Sequence, residues 1–161
     1  MNSELKLVIF EEKKILQSLL ELLDEQYSLI LSKDIIGLGK IADKIEEVGK
    51  NLAASEIKRR KIVSEEEFNN FIKNTNDEHI KGVYEEIKNL LNNLQNQKDT
   101  NNTLIKQRLF FTNKMINVIK PSKGIGTYNS YGKVAAVIRR IRASSGFIGF
   151  KGSVDGCLSQ L

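Results

Sequence analysis

Tryptophan is absent from this chain, and cysteine, histidine and proline occur once each, as Cys157, His79 and Pro121. A single thiol excludes an intramolecular disulfide, which rules out a small secreted fold stapled by bridges. One histidine and one distant cysteine offer no cluster of metal-ligand spacing. No apolar run approaches the roughly 20 residues that span a bilayer. The N-terminal MNSELKLVIFEEKK places two glutamates directly behind a short apolar patch where a cleaved leader would carry small residues, which predicts a cytoplasmic location. There is no glycine-rich phosphate loop and no nucleophile paired with a base. The carboxylates are scattered in helical charge patterns, so neither catalysis nor a cofactor is expected.

What is present divides the chain in two. With 161 residues, 40% hydrophobic and 28% charged, one domain with a largely aliphatic core is expected. Residues 1–120 carry 19 Lys and Arg against 19 Asp and Glu, whereas residues 121–161 carry 6 against 1, so the whole net charge of +5 sits in the tail. Glycine follows the same division, with 4 before Pro121 and 7 after it. The composition predicts a helical body over 1–120 and a basic, glycine-rich flexible tail over 121–161.

In the body the apolar spacing is helical. Leu5, Ile9, Leu16, Leu19, Leu23 and Ile30 recur at steps of three and four, with Glu12 and Gln26 at two seam positions, predicting a first helix over Ser3 to Ser32. Asp34 is placed to cap a second, in which Leu38, Ile41, Ile45, Val48 and Leu52 form a regular seam. The run KRRK at 58–61, flanked by glutamates, reads as a solvated helix end. Ser64 and Glu67 form a capping box that opens a short helix carrying Phe68, Phe71 and Ile72. From a cap at Asp77 a last pattern runs through Ile80, Tyr84, Ile87, Leu91 and Leu94 to Ile119. Its middle, NNLQNQKDTNNT at 92–103, holds five asparagines, which compete with helical hydrogen bonding; the helix either continues there exposed or bends. The expected architecture is all-α: an elongated antiparallel helical bundle or coiled coil with two long N-terminal helices, a short helix, one long C-terminal helix and a flexible tail.

A continuous last helix of about 40 residues is about 60 Å long, and its distal part should outrun the bundle. That part is also the most apolar. Leu104, Ile105, Leu109, Phe110, Phe111, Met115, Ile116 and Ile119 spread over more than one face, which requires more than one partner. Beyond Pro121, GTYNSYGK holds Tyr128 and Tyr131 among glycine, serine and asparagine; such rings either dock as a short linear motif or fold back over the bundle. KVAAVIRRIRA at 133–143 places Val134, Val137, Ile138 and Ile141 on one helical face. As a short amphipathic helix it either clamps a partner, packs on its own chain, or touches anionic lipid or nucleic acid. The body supplies no basic face and no reading motif, which makes nucleic acid the weaker branch.

The heptad-patterned first helix with ELLDEQYSLI, the aspartate-capped second helix, Asn102-x-Leu104-Ile105 leading an apolar run, and the glycine-flanked Thr127-Tyr128 with Gly132 together resemble the FlgN family of flagellar export chaperones. The resemblance covers most of residues 1–133. It implies a non-enzymatic, helical type III export chaperone that binds the C-terminal amphipathic helices of hook-associated proteins, prevents their premature assembly and delivers them to the membrane-embedded export gate. The apolar distal residues, with Val137, Ile138 and Ile141, are then the expected client contacts, and Thr127 with Tyr128 the expected gate contact. A monomer or weak dimer is expected. Two rivals remain: a coiled-coil scaffold, which predicts a constitutive homo-oligomer through Leu104 to Ile119, and a histidine phosphotransfer domain. HIKG at 79–82 is similar to the H-x-x-K-G of the latter but one residue short, and it falls at a helix start where that chemistry needs a histidine in mid-helix. Cys157 reads as a free thiol in the tail.

Overall fold

In a computed structural model the protein is described over residues 3–119, with side chains described for residues 3–111. Four helices follow one another: α1 (Ser3–Ser32), α2 (Ile35–Ile62), α3 (Glu65–Asn74) and α4 (Glu78–Ile119). The first begins and ends at the residues its apolar spacing predicts.

Chain reversals are short and chemically specified. α1 ends in a Schellman turn: Lys33 adopts a left-handed φ of 60°, its N–H donates to Ile30 O, and the Asp34 N–H donates to Leu29 O. Asp34 then turns its carboxylate to the start of α2 and accepts from Gly37 N at 2.8 Å. A side chain at position 37 would lie 2.6 Å from that carboxylate and 2.7 Å from Leu29 Cδ2, so glycine is required by close approach and not by backbone conformation. At α3 the capping box forms in both directions, Glu67 N donating to Ser64 Oγ and Ser64 N to Glu67 Oε2. These bonds, the Ser64 backbone N–H foremost, hold the Glu67 carboxyl below its ordinary value. Asp77 Oδ1 accepts from His79 N and Ile80 N at the start of α4, while its Oδ2 takes the Lys6 ammonium at 2.6 Å. Lys6 and those N–H groups lower its pKa.

Helix α1 is the spine, packed along α2 on one side and α4 on the other. Glu11 and Glu12 meet Lys58 and Arg59, so α2 runs antiparallel to α1. Lys6 meets Asp77, Lys13 meets Glu86 and Gln26 meets Asn101, so α4 runs parallel to α1. The main core joins Leu16, Leu19, Leu23 and Ile30 of α1 to Leu38, Ile41, Ile45 and Leu52 of α2 and Leu94 of α4. A second, smaller core joins Leu5 and Ile9 to Phe68 of α3 and Val83 of α4, closing one end of the bundle. Burying each such side chain contributes about 1.5–3 kcal/mol.

The asparagine-rich stretch resolves in favour of continuity. α4 is helical through 92–103 without a break. It is not simply exposed there either, because Leu94 and Asn101 are both buried.

Candidate functional site

Gln26 and Asn101 set how far α4 reaches. Asn101, almost fully buried, donates from Nδ2 to Leu23 O at 2.8 Å and to Gln26 Oε1 at 2.9 Å, and accepts from Gln97 Nε2 at 3.1 Å. Buried amides of this kind are stable only with their partners in place, so the pair fixes one axial register between two parallel helices. With Asn101 level with Gln26, the end of α1 at Ser32 lies beside residue 107 of α4. The helix continues for about 12 further residues, roughly 18 Å, past the α1–α2 turn.

This register decides which distal residues find cover. Leu104 and Ile105 lie below the end of α1 and pack, half-buried, against the main core. Leu109 is half-buried. Phe110 and Phe111 stand on the overhang 57% and 65% exposed, with ring centroids 6.3 Å apart in an edge-on pair. The overhang is thus shorter than the whole distal half, because parallel packing carries α1 alongside α4 as far as residue 107. Met115, Ile116 and Ile119 lie on the helix, but their side chains fall outside the described residues, as do Thr127, Tyr128, Val137, Ile138, Ile141 and Cys157.

The overhang does not stand alone. At the turn beneath it Leu31, Ile35 and Ile36 are exposed, Ile36 by 74%. Apolar spacing does not single these three out, since they fall at helix ends where the stripe is interrupted. The signal available in the sequence is three large aliphatics, in LSKDII, crowded around a capping aspartate where turns ordinarily carry polar residues. They belong to α1 and α2, whereas Phe110 and Phe111 belong to α4, and all five are exposed toward the same end of the bundle. Leu7 and Ile57 are exposed singly elsewhere and need no such explanation.

The second polar seam position, Glu12, lies toward the other end. Arg59 inserts between α1 and α3, its Nε 3.4 Å from Glu12 Oε1, its Nη2 3.6 Å from Glu65 Oε2 and its Cζ 4.5 Å from the Phe68 ring centroid. KRRK is therefore not a uniformly solvated helix end: Lys58 and Arg60 are exposed, but Arg59 is buried, because the Glu12 carboxyl in the α1 seam requires a counter-charge. Burial pushes the Glu12 carboxyl up to about 7, with Arg59 opposing that rise and Glu56 and Glu65 adding to it. Glu12 Oε1 and Arg59 Nη1 are buried without a hydrogen-bond partner among the described residues.

His79 is exposed in the first turn of α4, with its ring 5.4 Å from that of Phe10 and its N–H on the Asp77 cap. No helix among the described residues is long and apolar enough to cross a membrane.

A family model described as FlgN protein matches residues 1–136, which takes in the whole bundle and continues past Tyr128. No curated protein and no solved structure matches the chain.

Proposed function

We propose, since the chain belongs to the FlgN family, that it escorts hook-associated proteins by covering their C-terminal amphipathic helices and hands them to the export gate. Membership makes it a flagellar export chaperone and places it in a chaperone family, not an enzyme family. The finer reading rests chiefly on one observation: two phenylalanines held largely in solvent on a helix that overruns its own bundle. An unassembled coiled-coil subunit exposes an apolar helical face, and a helix laid against another apolar helix covers it.

In this reading Leu104, Ile105, Leu109, Phe110 and Phe111 begin the client surface, and Met115, Ile116, Ile119, Val137, Ile138 and Ile141 extend it. Residues 1–120 act as the chaperone body and 121–161 as a separate tail, in which Thr127 and Tyr128 contact the gate. About five aliphatic or aromatic anchors at ~2 kcal/mol each supply roughly 10 kcal/mol. Ordering a client terminus costs about 2–5 kcal/mol of that, and lost rigid-body freedom several more. The remainder corresponds to micromolar or tens-of-nanomolar binding, suited to a cargo that must be released.

Calorimetry and sedimentation with the C-terminal helices of a hook-associated protein test the reading. A one-to-one complex is expected, weakened at least tenfold by Phe110→Ala with Phe111→Ala. Tyr128→Ala should abolish gate binding and leave client binding intact. A constitutive homo-oligomer through residues 104–119 that ignores the client would replace the chaperone reading with a scaffold.

A further inference from the structure

Charge is out of balance where α3 closes the bundle. Glu12 of α1, Glu56 of α2 and Glu65 of α3 converge there, and each has an oxygen shut off from solvent. Against them stand two guanidinium groups of α2: Arg59 reaches Glu12 and Glu65, and Arg60 holds Glu56 at 2.6 Å. Neighbouring charges are engaged elsewhere, Lys58 by Glu11 and, from α4, Glu86 by Lys13. Three carboxylates against two guanidinium groups leave one negative charge in excess, largely out of reach of water, and such a charge is relieved by a proton. Glu12 keeps that proton, because burial foremost, helped by Glu56 and Glu65, outweighs Arg59 and raises its carboxyl to about 7. Of the three carboxyls only that of Glu65 stands on a lightly held element. Phe68 is the one fully buried residue of α3, with Phe71 and Ile72 half-buried. The capping box at 64–67 lies within this segment and travels with it, while Lys6 holds the Asp77 cap of α4 to α1.

We infer that α3 is a proton-dependent latch: it closes on Leu5, Ile9 and Val83 while one of these carboxyls is protonated, and it lifts when all three are ionised, with α1, α2 and α4 still packed. Lifting takes Glu65 away, so that two carboxylates face two guanidinium groups and water reaches Glu12. Phe68 leaves Leu5, Ile9 and Val83, and the Arg59 guanidinium loses the ring beneath it. The closed form holds the extra proton, so closure is strongest below about 4.5 and is lost progressively as pH rises through about 7. With Glu12 back at about 4.5 in the open form, the open population grows more than about tenfold between about pH 5.5 and about pH 8. The motion is a local opening of one short element and leaves the long helices in place.

Amide hydrogen exchange of the full chain, read by mass spectrometry from about pH 5.5 to about pH 8 and corrected for the intrinsic rise of exchange with pH, tests the latch. Protection over residues 65–74 should fall about tenfold or more, while protection over 16–30 and 38–52 changes less than about twofold. Glu12→Gln and Glu65→Gln should each abolish that fall, since either leaves two carboxyls in the cluster. Glu65 is the less buried of the two, so its variant decides the matter should Glu12→Gln fail to fold. Protection of α3 that does not change with pH overturns the proposal and makes α3 a fixed cap. Parallel loss in α1 and α2 overturns it as well, because the proton then acts on the whole fold. A fall that persists in the variants removes the cluster as its cause.

Discussion

The two ends of this bundle are built from the same kinds of residue and finished differently. At one end Leu5, Ile9, Phe68 and Val83 are sealed by a ten-residue helix whose function in the fold is to cover them. At the other, Leu31, Ile35, Ile36, Phe110 and Phe111 are exposed, with no helix among the described residues covering them. This second end is the one that the proposed reading assigns to a client.

Breaking the closed end should have the largest effect. Phe68→Ala removes the ring that joins α1, α3 and α4 and supports Arg59, and it should cost about 3–5 kcal/mol in urea unfolding. Next in size is a pH dependence confined to that end. The Glu12 carboxyl titrates near 7 when folded and near 4.5 when unfolded, so the folded state holds the extra proton. Its contribution is fully present below the unfolded value and is lost as pH rises through about 7, at most about 3 kcal/mol. The melting temperature should fall between pH 5.5 and 8, and Glu12→Gln should flatten that slope. A slope of opposite sign would mean that Arg59 outweighs burial.

Asn101→Ala acts at the boundary between the two ends. Gln26 loses its buried partner at a cost of about 1–3 kcal/mol, whereas replacing both residues by Leu restores stability and removes the register lock, which sedimentation would report as new oligomers. The smallest effect on stability sharpens the contrast most. Phe110→Ala with Phe111→Ala should change unfolding free energy by less than about 0.5 kcal/mol while reducing client affinity at least tenfold.

The helices were legible because their signals are local. Apolar steps of three and four fix α1, and the Asp34 cap and the Ser64–Glu67 box fix two of its successors, all within a few residues of sequence. The exposed phenylalanines were legible as well, since no bundle can hide apolar residues on several faces of one projecting helix. The polar seams were not. Gln26 and Glu12 announce that something must answer them, but Asn101 lies 75 residues from one and Arg59 sits in a run that reads as surface. Only the parallel register and the position of α3 pair them. The exposed aliphatics at the turn fall at helix ends, where the apolar stripe is interrupted and spacing carries no signal.

The joint between α1 and α2 has no slack. Asp34 completes the hydrogen bonding of one helix and caps the other, and Gly37 leaves no space beside it. A single residue added there would rotate α2 by about 100° about its own axis and swing Leu38, Ile41 and Ile45 off the spine. Length changes are therefore poorly absorbed at this hairpin, whose two residues work as a hinge pin cut to size.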